Sequence, residues 1–391
     1  MNKIILLSYA DLSINSGNVT LISRRGEAIY KKFGILTECV MVSKSNRTIN
    51  HNYNGVSFKI IRNRFLLKKY LFIEKPIIII LYGAKSFLLF NLVKKIKKYL
   101  GQLEIFTDIQ GAFEERIEYN VTIWKKLLYY LEKTLFVHIM RYCDGVFVVS
   151  EELEKYIRNL LPGNSSKLKY IKINCGISNR ISIAEKIRWR TEIRNSWGIN
   201  DNQIVFTFSG FRMPWQKIAD IINLFIQIDK EKNNVFFAFY CNIDDEFLNL
   251  LKNKFPKKNY VAKFLDKNEY FRYLSACDVG VILRDYNVTN LVAFPNKFSD
   301  YIAAGLVVSI NKAIPSIYNL VSNNNLLYLD SENFENIPFN LLIERNKHLE
   351  AFYKYNDQFI NETLLYEKQI TREFAKNPVN GMRINEEIIS N

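Results

Sequence analysis

The chain alternates short apolar runs, rich in β-branched and aromatic residues, with stretches of helical periodicity from one end to the other. This alternation is typical of stacked βαβ units, in which helices cover both faces of a parallel sheet. The candidate strands are 3–9, 35–43, 56–61, 76–83, 104–111, 145–150 and 169–176 in the first half, and 204–210, 234–241, 260–265, 279–285, 305–310 and 325–330 in the second.

A chain of 391 residues with this pattern predicts an α/β protein made of two doubly wound domains of similar size. The stretch 176–200 is polar, charged and poorly periodic, so we predict the junction between the domains there. The last 50 residues contain no strand signal and are predicted to be helical. The predicted divisions are 1–178, 179–345 and a C-terminal helical segment at 346–391.

The positive charge is concentrated in the first half of the chain. Residues 1–180 contain 29 Lys and Arg against 14 Asp and Glu, whereas residues 181–391 contain 25 of each, so the net charge of +15 belongs to the first half. A basic surface of this kind attracts nucleic acid, anionic lipid or a phosphorylated substrate. The alternative is a surface of lysines that only keeps the protein soluble.

Cysteine and histidine give no sign of a disulfide framework or a metal centre. The three histidines are isolated, and the five scattered cysteines suit a reducing compartment. The apolar run at the N-terminus ends at Asp11, too early for a signal peptide, and Lys85 interrupts the apolar stretch 76–93, so we expect no membrane span.

Ligands of doubly wound sheets bind beyond the carboxyl ends of the strands, so the loops there are the candidate sites. After the first strand, Ser16, Gly17 and Asn18 could bring main-chain amides to a ligand or form a plain turn. After the fifth, Gly111 precedes Glu114 and Glu115, which are either functional carboxylates or favourable residues at a helix start.

The second half contains two further candidate loops. Ser209, Gly210, Arg212 and Lys217 end a strand and supply cations at a helix start, which suits a diphosphate or is a solvated turn. The last loop contains the richest pattern, because Asn296, Lys297 and Asp300 share one face of a short helix bounded by Pro295 and Gly305. A lysine in the first helical turn opposes the helix dipole unless an anion binds there, which favours a phosphate site.

The segment AFPNKFSDYIAAGLVV resembles the P-x-K-(F/L)-x-E-Y-(L/I)-A-x-G-x-P-V helix of GT-B fold glycosyltransferases of glycosyltransferase family 4. FTFSGFRMPWQK and DIQGAFEE are similar to segments of a subgroup that assembles surface polysaccharides, and VFVVSEELEKYI and INCGIS resemble other family segments. The likeness spans nearly the whole chain. It implies two Rossmann-like domains facing across a cleft, with a C-terminal helix that crosses back to the N-terminal domain.

The resemblance implies transfer of a sugar from a nucleotide diphosphate sugar to a glycan or lipid-linked glycan acceptor, as in capsule or O-antigen synthesis. Such enzymes usually retain the anomeric configuration and need no metal or other cofactor. The implied catalytic residues are Lys297, Arg212, Glu114 and Glu115. The implied donor-binding residues are Gly17, Ser209, Gly210, Lys217, Phe264, Leu265, Arg284, Asn290, Asn296, Lys297 and Asp300.

Within that set, the resemblance assigns a part of the donor to each cluster. Lys297, with Arg212 or Lys217, would contact the diphosphate, Asp300 would hold the ribose, and Phe264 or Leu265 would lie by the base. Gly17 and the loop 110–115 would face the acceptor and the transferred sugar.

Three positions depart from the family pattern. Val292 falls where the first of two paired glutamates would be, Asp300 replaces the second, and Gln110 replaces a frequent histidine. These departures leave open a catalytically inactive GT-B partner subunit. A nucleotide-sugar epimerase of the same fold is a second alternative, although few histidines are present for proton transfer. Nucleic-acid binding by the basic half has no recognisable motif behind it.

Two basic, aromatic segments of the first half could lie in an anionic membrane surface. In 85–100, Lys94, Lys95, Lys97 and Lys98 stand beside phenylalanines, and 124–130 reads WKKLLYY. The alternative is that both helices pack their apolar faces on the sheet. The protein is expected in the cytoplasm, with possible peripheral association with the inner face of the cell membrane.

Overall fold

The structure is a computed structural model that describes residues 2–9, 17–44, 54–119, 121–161, 163, 165–178, 180–257, 259–332 and 338–379. The chain divides into two compact units. The first unit takes Met1–Ser178, Leu291–Phe294 and Thr363–Asn391, and the second takes Asn179–Asn290 and Pro295–Glu362.

The first unit is built on a parallel sheet of seven strands in the order β3-β2-β1-β4-β5-β6-β7. Its strands are β1 Lys3–Ser8, β2 Leu36–Val42, β3 Val56–Ile61, β4 Ile78–Tyr82, β5 Glu104–Asp108, β6 Gly145–Val148 and β7 Lys169–Lys172. Its first six helices are α1 Gly17–Phe33, α2 Arg64–Glu74, α3 Phe90–Leu100, α4 Glu115–Glu118, α5 Ile123–Met140 and α6 Glu151–Leu160, with 3-10 turns at Ala84–Leu89 and Ser165–Lys167. The strand order reverses between β1 and β4, which is the topological switch point where ligands of such sheets bind.

The second unit has a parallel sheet of six strands in the order β10-β9-β8-β11-β12-β13. Its strands are β8 Ile204–Ser209, β9 Val235–Tyr240, β10 Tyr260–Ala262, β11 Val279–Ile282, β12 Val307–Ile310 and β13 Tyr328–Asp330. Its helices are α7 Ile183–Trp197, α8 Ile218–Glu231, α9 Asp245–Lys254, α10 Lys267–Leu274, α11 Val288–Leu291, α12 Asn296–Ala304, α13 Pro315–Asn323, α14 Phe339–Lys347 and α15 Leu349–Phe359, with a 3-10 turn at Pro214–Gln216. Here the strand order reverses between β8 and β11.

The α/β fold class predicted from the sequence is confirmed. All thirteen candidate strands form, most of them shorter at their ends than predicted. Their residues are buried along most of their length, because helices cover the sheets of both units.

The stretch 176–200, in which we predicted a domain junction, contains the fifteen-residue helix α7. Ser182 caps it, and the Ser182 hydroxyl and the Glu185 carboxylate bond reciprocally to each other's main-chain amides. The apolar period is weak because three of the buried positions are charged, namely Lys186, Arg190 and Arg194. Part of the charge that obscured the helical period therefore faces inward.

The C-terminal segment divides later than residue 346. α15 belongs to the second unit, where Lys186 pairs with Asp357 at 2.7 Å and the Tyr353 ring lies against Gly305. A π-helical turn at Ile360–Leu364 leads into α16 Tyr366–Lys376, which packs on α1 and β7 of the first unit. The Phe374 and Phe33 rings meet edge to face, with centroids 5.8 Å apart.

Most apolar side chains of α3 and of the turn before it are buried in the first unit, whereas Leu88 and Tyr99 are exposed. The buried side chains include Phe87, Phe90 and Val93, which agrees with the alternative of packing on the sheet, and membrane binding by 85–100 stays a prediction. None of the described helices is both long and apolar enough to cross a membrane.

Candidate functional site

The candidate site of the second unit lies at its topological switch point, where the loops after β8 and β11 and the start of α12 supply side chains. α12 begins after Pro295, and Gly305 ends it in the left-handed conformation. Residues 297–304 of this short helix are all buried, which explains why it has apolar residues on most sides. The helix thus carries Lys297 and Asp300 into a packed interior.

Lys297 is the central charge of this site. Its side chain is only 8% exposed, its Nζ donates to Oε1 of Gln216 at 2.7 Å, and the ammonium lies 4.4 Å from the ring centroid of Phe208. Of the residues that the structure describes, none offers this ammonium a carboxylate partner. Burial, with a smaller contribution from the positive charge of Arg284, holds the pKa of Lys297 well below its ordinary value.

Gly210 forms the turn that passes beside this ammonium. Its φ of +111° is a conformation that side-chain-bearing residues rarely adopt, and a Cβ built there would lie 3.6 Å from Lys297 Nζ. Glycine therefore leaves the approach to Lys297 clear at the carboxyl end of β8.

Ser209, the last residue of β8, is held by two tyrosines. Its main-chain amide donates to the Tyr301 hydroxyl at 3.0 Å, and its own hydroxyl lies 3.0 Å from that of Tyr301 and 2.9 Å from that of Tyr270. The Tyr301 ring fits because Gly280 faces it, since a Cβ at Gly280 would lie 2.3 Å from the ring. These contacts fix the turn that leads to Gly210.

Arg284 and Asn290 stabilise the loop after β11. Arg284 is buried, its guanidinium donates to the Leu283 carbonyl at 2.9 Å, and its carbonyl accepts from Asn311 at 2.7 Å. Asn290 donates to the Asp285 carbonyl at 2.9 Å. The loop thereby brings a second buried cation near Lys297.

The two other predicted cations are neutralised by carboxylates. Arg212 is paired with Asp244, the N-cap residue of α9, and lies over the Phe247 ring. Lys217 lies between Asp285 at 2.6 Å and Asp220 at 3.0 Å. The structure thus places both near the loop after β8 but engages their charges, so neither is an uncompensated cation like Lys297.

The remaining predicted residues of this unit differ in exposure. Asp300 is buried one turn after Lys297, and Asn296 is half-buried at the start of the same helix. Phe264 is exposed and Leu265 half-buried after β10. Sequence reasoning did not single out Gln216, Tyr270 or Tyr301, although the FSGFRMPWQK and SDYIAAG segments contain two of them. Their roles depend on contacts between distant strands and helices.

In the first unit, Glu114 is held in a cluster of hydrogen bonds. It accepts from Tyr129 at 2.9 Å, from Lys133 at 3.1 Å and from Tyr156. Burial acts to raise the pKa of Glu114, but these hydrogen bonds together hold it below the usual value. The Glu114 carboxylate therefore links the start of α4 to α5 and α6 through hydrogen bonds.

The neighbouring residues of that loop are less constrained. Glu115 is exposed, and its Oε2 would lie 3.8 Å from a Cβ built at Gly111. Gln110 Nε2 is buried and has no hydrogen-bond partner within the described part of the chain.

Gly17 is the first residue of α1, and the predicted Ser16 lies outside the described residues. No set of three or more His, Cys, Asp or Glu in the described ranges is placed to hold a metal ion.

Comparison with known proteins gives structural relatives only. No protein-family model and no curated protein sequence matches the chain. Similar solved structures include HepE of Anabaena in complex with UDP-glucose, with a TM-score of 0.64, 11% identity and 96% of this chain covering 98% of that one.

Two further solved structures match this chain over similar lengths. Sucrose-phosphate synthase of Thermosynechococcus elongatus gives a TM-score of 0.63 at 13% identity, with 96% of this chain and 99% of that one covered. TarM of S. aureus in a complex that includes UDP gives 0.61 at 10% identity, with 96% and 99% covered. Likeness over the full length at this identity establishes architecture, and the protein has the GT-B fold.

Proposed function

We propose that the protein is a glycosyltransferase that moves a sugar from a nucleotide diphosphate sugar to a glycan or lipid-linked glycan acceptor, with retention of the anomeric configuration. The fold is shared with proteins crystallised with UDP-glucose, UDP or ADP. Fold alone does not specify activity, so the proposal rests on the site of the second unit.

The observation that carries the proposal is the uncompensated charge of Lys297. A desolvated ammonium beside a second buried cation is unfavourable unless an anion neutralises it. Lys297 lies in the first turn of α12, where main-chain amides also attract anions. A diphosphate, with its multiple negative charges, would satisfy all of these groups at once.

We assign the leaving diphosphate to Lys297 and Arg284, without a metal ion. Charge builds on the diphosphate as the bond to the sugar breaks, and fixed cations at that point stabilise the transition state. Arg212 and Lys217 would first have to leave their carboxylates, so we give them the secondary role of holding the loop 210–217. Asp300 would accept hydrogen bonds from the ribose, and Phe264 or Leu265 would lie by the base.

We propose that Glu115 and Gln110 of the first unit act on the acceptor side. Both belong to the loop that follows β5, where Glu115 is exposed and the Gln110 side chain is half-buried. Glu114 is occupied by Tyr129, Tyr156 and Lys133, so we give it a positioning role for this loop.

The proposed setting is surface polysaccharide synthesis in the cytoplasm, with an acceptor attached to lipid at the inner face of the membrane. The concentration of positive charge in residues 1–180 supports this setting, because anionic lipid attracts such a surface.

The test is a panel of UDP, GDP and CMP sugars, followed by thermal shift and by nucleotide release. A bound donor raises the melting temperature by mass action. We expect stabilisation by a UDP or GDP sugar and none by CMP sugars, which have a single phosphate. Stabilisation by CMP sugars alone, or by none of the panel, would contradict a diphosphate site.

A catalytically inactive GT-B partner subunit is the second candidate. It is favoured by Val292, which is buried in the first unit at the position of the first paired glutamate and whose carbonyl accepts from the Ser150 hydroxyl at 2.6 Å. Nucleotide binding without release of nucleotide in the presence of acceptor glycans would support this candidate over the transferase.

A further inference from the structure

The first turns of α5 expose apolar side chains on the side opposite the one that packs on the sheet. Ile123, Leu127 and Leu131 recur at intervals of four residues and are 85%, 56% and 57% exposed. Trp124 is 74% exposed, and Leu128, Tyr130 and the preceding Val121 are exposed as well. We call these seven residues the α5 apolar face. The helix is held by the other side, where the buried residues are Tyr129, Phe136, Ile139 and Met140.

Scattered exposed hydrophobic residues are normal, but a contiguous group of this kind marks an interaction site. The α5 apolar face lies outside the proposed donor site, and among the described residues of the second unit the exposed large hydrophobic side chains are dispersed over several elements. A contacting partner is therefore needed to account for it.

The elements around this face are basic. Right-handed crossovers place α2, α3 and α5 on one side of the sheet, and the 3-10 turn Ala84–Leu89 packs against both α3 and α5. The exposed cations on these three helices include Lys68, Lys69, Lys94, Lys95, Lys98 and Lys126.

Three acidic side chains on or near these helices are paired with cations. Glu132 receives two hydrogen bonds of 2.7 Å from Arg116, Glu114 pairs with Lys133, and Glu74 pairs with Lys3. α2, α3 and α5 together contain ten Lys and Arg against two Glu, so their charge is positive even though Glu115 of α4 is exposed.

We infer that the α5 apolar face inserts into an anionic lipid surface, with lysines of α2, α3 and α5 at the headgroups. Trp124 and Tyr130 suit the interface, where one edge of an aromatic side chain is apolar and the other is wet. Long lysine side chains reach the headgroups while their stems cover apolar surface. The inference rests on the proposed function only for its purpose, which is to bring a lipid-linked acceptor to the enzyme.

The positive charge around the α5 apolar face favours anionic lipid over a protein partner. An interface with a second protein is depleted of lysine at its centre. Each lysine near an anionic bilayer, in contrast, strengthens binding to that bilayer. The α5 apolar face, with lysines around it, therefore matches what binding to an anionic bilayer requires.

The test is cosedimentation of the full chain with vesicles of phosphatidylcholine alone or with phosphatidylglycerol added. We expect binding to the anionic vesicles to be at least about tenfold stronger and to weaken as salt rises. Trp124→Ser/Leu127→Ser should weaken that binding about tenfold or more by removing apolar contact. Lys95→Gln/Lys98→Gln/Lys126→Gln should remove most of the preference for anionic lipid. The matched control is Leu250→Ser/Leu341→Ser, which replaces two exposed leucines of the second unit and should bind like the wild type.

Circular dichroism checks that the variants are folded, and donor binding by thermal shift is measured on the same samples. Loss of donor binding with vesicle binding intact would contradict the proposed function and leave this inference standing. Equal binding of wild type to neutral and anionic vesicles, no binding at low salt, or wild-type binding by Trp124→Ser/Leu127→Ser would overturn it. A dimer in solution that the same variant dissociates would also overturn it, by assigning the face to a second copy.

Discussion

The ammonium of Lys297 lies 2.7 Å from the amide oxygen of Gln216, a neutral acceptor. A carboxylate at this position would form a stable buried ion pair and would repel a phosphate. An amide oxygen satisfies one donor of the ammonium and leaves its charge available. This pairing keeps the lysine in place and leaves its charge for a ligand.

Replacing Lys297 by methionine separates stability from function. Lys297→Met should leave the free protein at least as stable as the wild type, because a desolvated charge is removed from an apolar environment. It should also abolish stabilisation by the donor and lower turnover by two or more powers of ten, about 2.7–4 kcal/mol of transition-state stabilisation. Thermal shift and steady-state kinetics measure these effects, with exposed Lys252→Met as the matched control. A folded Lys297→Met protein that turns over like wild type would place the diphosphate elsewhere.

Donor binding should take up a proton. The pKa of Lys297 in the free protein is well below its ordinary value, and a bound anion favours the protonated form and raises it. Between the free and bound pKa values, binding therefore requires protonation, and affinity should fall as pH rises. Calorimetry in buffers of different ionisation enthalpy measures the proton uptake. Lys297→Met should show none of this uptake, and an equal uptake by that variant would assign the proton to another group.

Asp300→Asn should act on binding more than on turnover. A ribose contact is made equally in the ground state and the transition state, so its weakening raises the Michaelis constant for the donor and changes turnover less. Steady-state kinetics with varied donor makes the distinction, with exposed Asp245→Asn as the control. A fall in turnover at an unchanged Michaelis constant would instead place Asp300 near the reacting atoms.

Tyr301→Phe tests the anchoring of the turn after β8. The substitution keeps the ring against Gly280 but leaves the buried amide of Ser209 without its acceptor. The expected cost in the free energy of unfolding is about 1–3 kcal/mol, together with weaker donor binding. Urea unfolding measures the cost. Tyr286→Phe removes an exposed hydroxyl paired with Glu332 and should cost far less, and equal costs would contradict the anchoring role.

Asp278 organises the interior of the second unit. It lies 2.9 Å from Arg190 and 2.8 Å from Arg345, it also pairs with Arg194, and it accepts from the Val205 amide at 2.8 Å. Burial acts to raise the pKa of Asp278, but the three arginines outweigh it and hold the pKa well below its usual range.

Asp278→Asn should therefore cost about 3–5 kcal/mol of unfolding free energy, because it leaves buried guanidinium groups without their counter-charge. Since the folded pKa is depressed, the contribution of Asp278 is present above the unfolded pKa of about 3.9 and is lost as pH falls through the folded value. The difference between wild type and variant should accordingly shrink in strong acid. Denaturant titrations across pH measure it, and Asp245→Asn, with a cost of at most about 1 kcal/mol, is the control.

The sequence predicts helices and strands well where apolar residues recur at a regular interval or where Pro and Gly mark the ends of an element. The strand runs and the Pro295–Gly305 bounds of α12 are of this kind. α7 was missed because its buried side chains are Arg190, Arg194 and Lys186, whose burial depends on Asp278 and Asp357, far away in the chain. Periodicity of hydrophobic residues cannot report a helix whose core face is charged.

Side-chain partners in the site could be predicted less well than the elements. The sequence places Arg212, Lys217 and Lys297 near one another, but it does not show that Asp244 and Asp285 neutralise the first two. Those partners come from other loops and meet only when the strands are assembled. The motif therefore points to the candidate site, and the fold decides which cation there lacks a carboxylate partner.

The chain passes back and forth between the two units, and this limits how the protein can be divided. Residues 291–294 lie in the first unit between two stretches of the second, and the boundary after residue 362 leaves α15 with the second unit and α16 with the first. A fragment ending at residue 345 would lack Tyr353, which fills the space against Gly305, and Asp357, the partner of Lys186. A fragment ending at residue 178 would lose Phe374 from its place against Phe33. Each unit is completed by chain that follows the other unit, so a gene truncated at either point would encode a unit that lacks part of its own packing.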